Sequence, residues 1–175
     1  MRRSGGERPV IVCHDGSRAA TDALDYTATL VPGAPVLVLT IWKPPPEEAL
    51  SPATRPPASD PAGSADVARR AAEQIAAEAV RRASAAGAAA EPLAIEAHGA
   101  MWEAIEAVAD ERNALLVVCG TNRSGMRSTL PGNLAHALVT HLSRPVLVVP
   151  SAETAAERRH EAEDRRHRPF AAQRR

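Results

Sequence analysis

Five short apolar runs punctuate the chain: PVIVC from Pro9, PVLVLTIW from Pro35, PLAIEA from Pro92, LLVVC from Leu115 and PVLVV from Pro145. They are rich in β-branched residues and continuous rather than alternating in polarity. That is the pattern of strands covered on both faces, which means a parallel sheet. The segments between them carry helical periodicity. Ser17 can cap a helix with Ala20, Leu24, Thr27 and Val31 on its inner face, stopped by Pro32 and Gly33. Ser64 can cap a second, with Val67, Ala71, Ile75, Ala79 and Ala83 at i, i+4 spacing, and the alanines imply a close approach to the sheet. A third helix places Trp102, Ile105 and Ala109 on one face, and a fourth places Leu134, Leu138 and Leu142 on one face. The expected fold is α/β, a doubly wound five-stranded parallel sheet flanked by four helices.

With 175 residues, of which 45% are hydrophobic, the chain can bury one compact core. Its 21 basic and 21 acidic residues cancel, so no general field attracts nucleic acid or an anionic membrane. No apolar run approaches the roughly 18 residues that span a bilayer, and the run after the basic start is too short for a secretory signal. A cytoplasmic protein is expected. Cys13 and Cys119 both lie in apolar runs, which suits reduced, buried thiols.

Residues 1–7 read as a flexible N-terminus and 8–150 as the folded domain. Within it, residues 43–63 hold seven prolines in 21 positions and can form neither a helix nor a central strand. They read as a mobile insertion, a solvated linker or else a lid over a ligand. Residues 151–175 carry seven arginines and five acids, and read as a polar tail, disordered or a frayed helix.

In a doubly wound sheet, ligands gather at the carboxyl ends of the strands. The first strand ends in His14, Asp15, Gly16 and Ser17, the second in Ile41 and Trp42, and the fourth in Gly120. An aspartate there can accept from a ribose hydroxyl or cap the following helix. The segment GTNRSGMRSTLPGN, Gly120 to Asn133, contains three glycines and two arginines between a strand and a helix. The amides of Gly132, Asn133 and Leu134 open that helix, where unpaired N–H groups favour an anion, and Arg123 and Arg127 could add charge.

Other chemistries fit poorly. No lysine follows the glycines as a Walker loop requires, and no G-x-G-x-x-G follows a strand. His136 and His141 are about 140° apart around one helix, so they do not form an i, i+4 metal pair. His14 and Ser17 are separated by a strand-to-helix turn and need not face each other as base and nucleophile. The chain is not expected to be an enzyme, and no metal site is expected.

VIVCHDGSRAATDAL, VLVLTIW, GAMWEAI, LLVVCGTNRSGMRSTLPGNLAHAL and RPVLVVP resemble, in order and spacing, the signatures of the universal stress protein family. The resemblance runs from about Arg8 to Pro150, leaving out the proline-rich insertion. It implies strand order 3-2-1-4-5, a homodimer in most members, and ATP in some members but not others. In nucleotide-binding members the phosphate loop is G-x2-G-x9-G-[S/T]. Here Gly120 matches the first glycine, Arg123 stands at the second, the spacing to Gly132 is one residue short, and Asn133 replaces the hydroxyl residue. A shifted gap brings Gly125 into the loop after a deleted glycine. By residue-wise resemblance Asp15 would meet the ribose, the Ile41 backbone the adenine, and Gly120, Gly132 and Asn133 the phosphates.

Two functions follow from these residues. One is a stress-response regulator that binds ATP or another adenine nucleotide; the other is a dimeric interaction module with a vestigial site. The final strand, Arg144 to Val149, would lie at a sheet edge, and pairing two copies through it would cover the exposed backbone groups.

Overall fold

The computed structural model describes residues 8–44, 61–121 and 134–167. Ten elements alternate along the chain: β1 Val10–Cys13, α1 Arg18–Leu30, β2 Val36–Trp42, α2 Pro61–Ala85, β3 Ala90–Glu96, α3 Met101–Glu111, β4 Leu116–Thr121, α4 Leu134–His141, β5 Val146–Pro150 and α5 Ala152–His167. The strands form one parallel sheet, as their apolar runs implied, in the order β3-β2-β1-β4-β5, as the family resemblance implied. β1 is central, with Val10 opposite both Val36 of β2 and Leu116 of β4.

Alternating side chains build a core on each face of the sheet. On the first, Val10, Val12, Val36, Val38 and Val118 meet Ala23 and Leu24 of α1 and Ala79 and Ala83 of α2. On the second, Ile11, Leu37, Leu39, Val117 and Cys119 meet Ile105, Val108 and Ala109 of α3 and Leu138 of α4. The central strands are therefore apolar but for Thr40 of β2 and Thr121 of β4, whereas the edge strand β3 exposes Glu91 and Pro92. Proline is tolerated there because an edge residue need not donate to a second neighbour.

Ser17 caps α1 as expected, its Oγ accepting the Ala20 N–H at 3.2 Å. The other helices depart from the sequence reading in three ways. Helix α2 begins at Pro61, inside the proline-rich stretch, because proline lacks only an N–H that the first helical turn leaves unpaired anyway. Its buried stripe is Ala72, Ala76, Ala79 and Ala83, whereas Val67 is 69% exposed. A run of alanines fits more than one helical stripe, so the inner face was not fixed by periodicity. The remainder of the proline-rich stretch, from residue 45 to residue 60, lies outside the described residues.

The third departure is a fifth helix, α5, in the tail that reads from sequence as disordered or a frayed helix. Its first turn is anchored: the Ser151 N–H donates to the Thr121 carbonyl at 3.0 Å, and the Ala152 N–H donates to Asp22 Oδ2 of α1 at 2.8 Å. Ser151 Oγ accepts the Thr154 N–H at 3.2 Å, and both residues are buried. A distant aspartate supplies an acceptor at the start of this helix, a partner invisible to a local reading. Among the described residues, no helix is long and apolar enough to cross a membrane.

Candidate functional site

The carboxyl ends of β1, β2 and β4 converge on a pocket closed from the second face by the first residues of α3 and α4. Its lining includes Asp15, Ile41, Gly120, Met101 and Leu134, with Cys13 and Cys119 among the strand-end residues. Three residues singled out from the sequence, Asp15, Ile41 and Gly120, are thus brought together. The other four, Arg123, Gly125, Gly132 and Asn133, lie outside the described residues. The segment containing them joins Thr121 to Leu134.

The β1–α1 turn is held by side chains. Asp15 is exposed, and its Oδ1 accepts the Ser17 N–H at 2.9 Å. One carboxylate offers about four lone-pair sites, so this turn contact leaves capacity for a ligand hydroxyl. Gly16 has φ +82°, a left-handed conformation that a side chain disfavours. Its N–H donates to His14 Nδ1 at 3.2 Å. His14 is buried, and burial holds its pKa below the usual histidine value, with the Asp15 carboxylate partly opposing that shift. From its neighbours in the sequence this ring suggests only a triad base. Its position just before an Asp-Gly turn at the end of a buried strand was the available signal.

Gly120 has a packing reason that the sequence did not reveal. A Cβ at this position would overlap the Ala19 carbonyl and lie 2.8 Å from the Ala20 nitrogen, so β4 touches the backbone of the first turn of α1. Those neighbours are main chain and cannot rotate away. The missing side chain is needed for the fold before any phosphate is considered.

The pocket offers no activated thiol. Cys13 and Cys119 are register partners on β1 and β4, and both are free. Burial pushes the Cys119 thiol up to about 11. It pushes Cys13 further above the ordinary range, reinforced by Cys119 and by Asp15. Neutral thiols are poor nucleophiles, so the pair contributes apolar lining. Trp102, expected in the core, is half-buried and stacks on His141 with ring centroids 4.4 Å apart, linking α3 to α4 behind the pocket. Among the described residues, no group of three or more His, Cys, Asp or Glu could hold a metal ion. The arrangement is a largely apolar pocket with the exposed Asp15 carboxylate in its lining, able to take a ligand that has an apolar part and a hydrogen-bond donor.

Residues 7–150 match the model of the universal stress protein family. Among solved structures, the chain is similar to a protein of that family from Burkholderia pseudomallei, with 25% identity and a TM-score of 0.63 over 82% of this chain and 96% of that one. It is also similar to a family protein from Arabidopsis thaliana with AMP bound, with 14% identity and a TM-score of 0.58 over 83% and 94% of the two chains. A universal stress protein in complex with cAMP shares 24% identity, with a TM-score of 0.56 over 85% of this chain and all (100%) of that one. The last two are likenesses of fold. No curated protein matches the chain.

Proposed function

The chain belongs to the universal stress protein family, and we propose that it is a regulatory, non-catalytic member acting in the cytoplasmic stress response through occupancy by an adenine nucleotide. The observation that carries this reading is the convergence of Asp15, Ile41 and Gly120 on one pocket at the carboxyl ends of β1, β2 and β4. The adenine lies in the apolar pocket beside the Ile41 backbone, the ribose hydroxyls meet Asp15, and the phosphates extend from Gly120 toward the start of α4. Fold relatives that hold AMP and cAMP support the ligand class. ATP is the nucleotide to test first, because the loop keeps Gly132 just before a helix N-terminus, with Asn133 in place of the hydroxyl residue.

Two copies pair through β5. This strand ends the sheet, and Val146, Leu147 and Val148 along it are only partly buried within one chain. A sheet edge of this apolar character invites a second strand, and a twofold pairing closes it.

Mass spectrometry of small molecules released from the purified, denatured protein tests occupancy directly. ATP added at about 100 times its dissociation constant should stabilise the native state by roughly 2.7 kcal/mol, read as a melting shift. Asp15→Ala should reduce that shift. If no nucleotide co-purifies and millimolar ATP and AMP leave the melting temperature unchanged, the dimeric interaction module becomes the reading.

A further inference from the structure

His14 closes the central strand, and three contacts define its state. Its backbone N–H donates to the Leu39 carbonyl at 2.8 Å, which fixes the residue to β2. Its Nδ1 accepts the Gly16 N–H at 3.2 Å. Its Nε2 lies 3.5 Å from Thr21 Oγ1, and that hydroxyl donates to the Ser17 carbonyl at 3.0 Å. An accepting Nδ1 carries no proton, so the neutral ring has its proton on Nε2, directed to the threonine oxygen. His14 thus grips the turn on both sides of Asp15, holding Gly16 directly and the opening of α1 through Thr21.

We propose that neutral His14 is the positioning residue for the Asp15 carboxylate, and that its protonation releases the turn and lowers nucleotide affinity on acidification. This inference rests on the nucleotide reading of the pocket. In the imidazolium both nitrogens are donors, so Nδ1–H would confront the Gly16 N–H at hydrogen-bond distance. The surroundings offer little compensation. From α1 come the Thr21 hydroxyl and the Ser17 carbonyl, from β2 the Leu39 carbonyl, and from α2 the Ile75 side chain beside Gly16. Cys13, the residue before it, is held as a neutral thiol. The charge resolved as acting on the ring is Asp15 itself, and burial outweighs it. Relief therefore requires the ring to leave its niche or the Gly16 turn to open. Either movement shifts Asp15, which lies between the two.

The experiment compares AMP binding by the full chain and by His14→Asn, using calorimetry from pH 7.5 to pH 5. Asparagine presents a carbonyl near the Nδ1 position and does not titrate. The parent should lose about tenfold more affinity than the variant across this range, because the titration of AMP's own phosphate is common to both. Parallel profiles in two binding proteins overturn the inference alone, whereas AMP binding to neither at any pH overturns the nucleotide reading and this inference together. Nuclear magnetic resonance of the ligand-free parent gives a second measurement that does not depend on the variant folding. The Gly16 and Ser17 amides should shift with the same midpoint as the His14 ring nitrogens. A ring that titrates while those amides stay still overturns the proposal.

Discussion

The two faces of the sheet are covered by different kinds of helix. On the first face, α2 runs for 25 residues and presents an alanine stripe, and the first turn of α1 comes so close to β4 that residue 120 has no room for a side chain. On the second, α3 and α4 are 11 and 8 residues long and fill the space with Ile105, Val108 and Leu138. Small side chains bring helix and sheet together along their length. Large ones on short helices hold the layers together where the helices run and leave space where they begin. Met101 and Leu134, the first residues of those helices, line the pocket. The tight face fixes the scaffold, and the site opens where the short helices of the other face begin, its lining completed by Ser17 and Ala20 at the start of α1.

Gly120→Val attacks the tight face at its closest contact and should have the largest effect. A valine would meet main-chain atoms that cannot yield, so we expect a loss of roughly 4 kcal/mol or more, visible as failure to accumulate folded protein. A well-folded Gly120→Val protein would show that α1 and β4 can separate, and the contrast between the faces would break. Ile105→Ala removes a fully buried side chain from the second face and should cost about 3 kcal/mol in urea unfolding. On the first face the informative change is the reverse. Ala76→Leu should cost about 2 kcal/mol by overpacking a position that is 0% exposed, and a neutral result would reveal unused space there. Removing residues 155–175 should have the smallest effect, about 1 kcal/mol or less. It spares the anchored first turn at Ser151 and Thr154; a melting transition lowered by many degrees would place the polar helix among the structural elements.

The fold was legible because its determinants are local and repeated. Each apolar run marked a strand, and Ser17 marked the start of α1. The stripe of α2 is right at Ala79 and Ala83 but shifts to Ala72 and Ala76 in the first half, because alanine has little hydrophobic contrast with its neighbours and only the sheet decides which alanines turn inward. The start of α5 escaped notice because Asp22, 130 residues away, supplies the acceptor for Ala152. At the site, Asp15 and Ile41 followed from the rule that strand ends gather ligands. The meaning of Gly120 did not, because a close backbone approach between elements a hundred residues apart leaves no mark beyond the glycine itself. His14 is hard to read from sequence for a related reason: its contacts are with Gly16 and Thr21, which only the folded turn brings to its two ring nitrogens.

The central position of β1 also governs how the molecule is made. Its two neighbours are produced at very different times: Val36 follows Val10 closely, but Leu116, the partner on the other side, is 106 residues downstream. At elongation rates of about 5–20 residues per second, a nascent half-sheet of β3, β2 and β1, complete only at Glu96, waits about 1–4 seconds for Leu116 with the edge of β1 unpaired. That edge is the apolar VIVC. Chains stalled on the ribosome before Leu116 should be readily cut by protease and bound by chaperones, and chains extended past Pro150 should resist both. Protection already complete at the shorter length would mean that the half-sheet folds without its second neighbour.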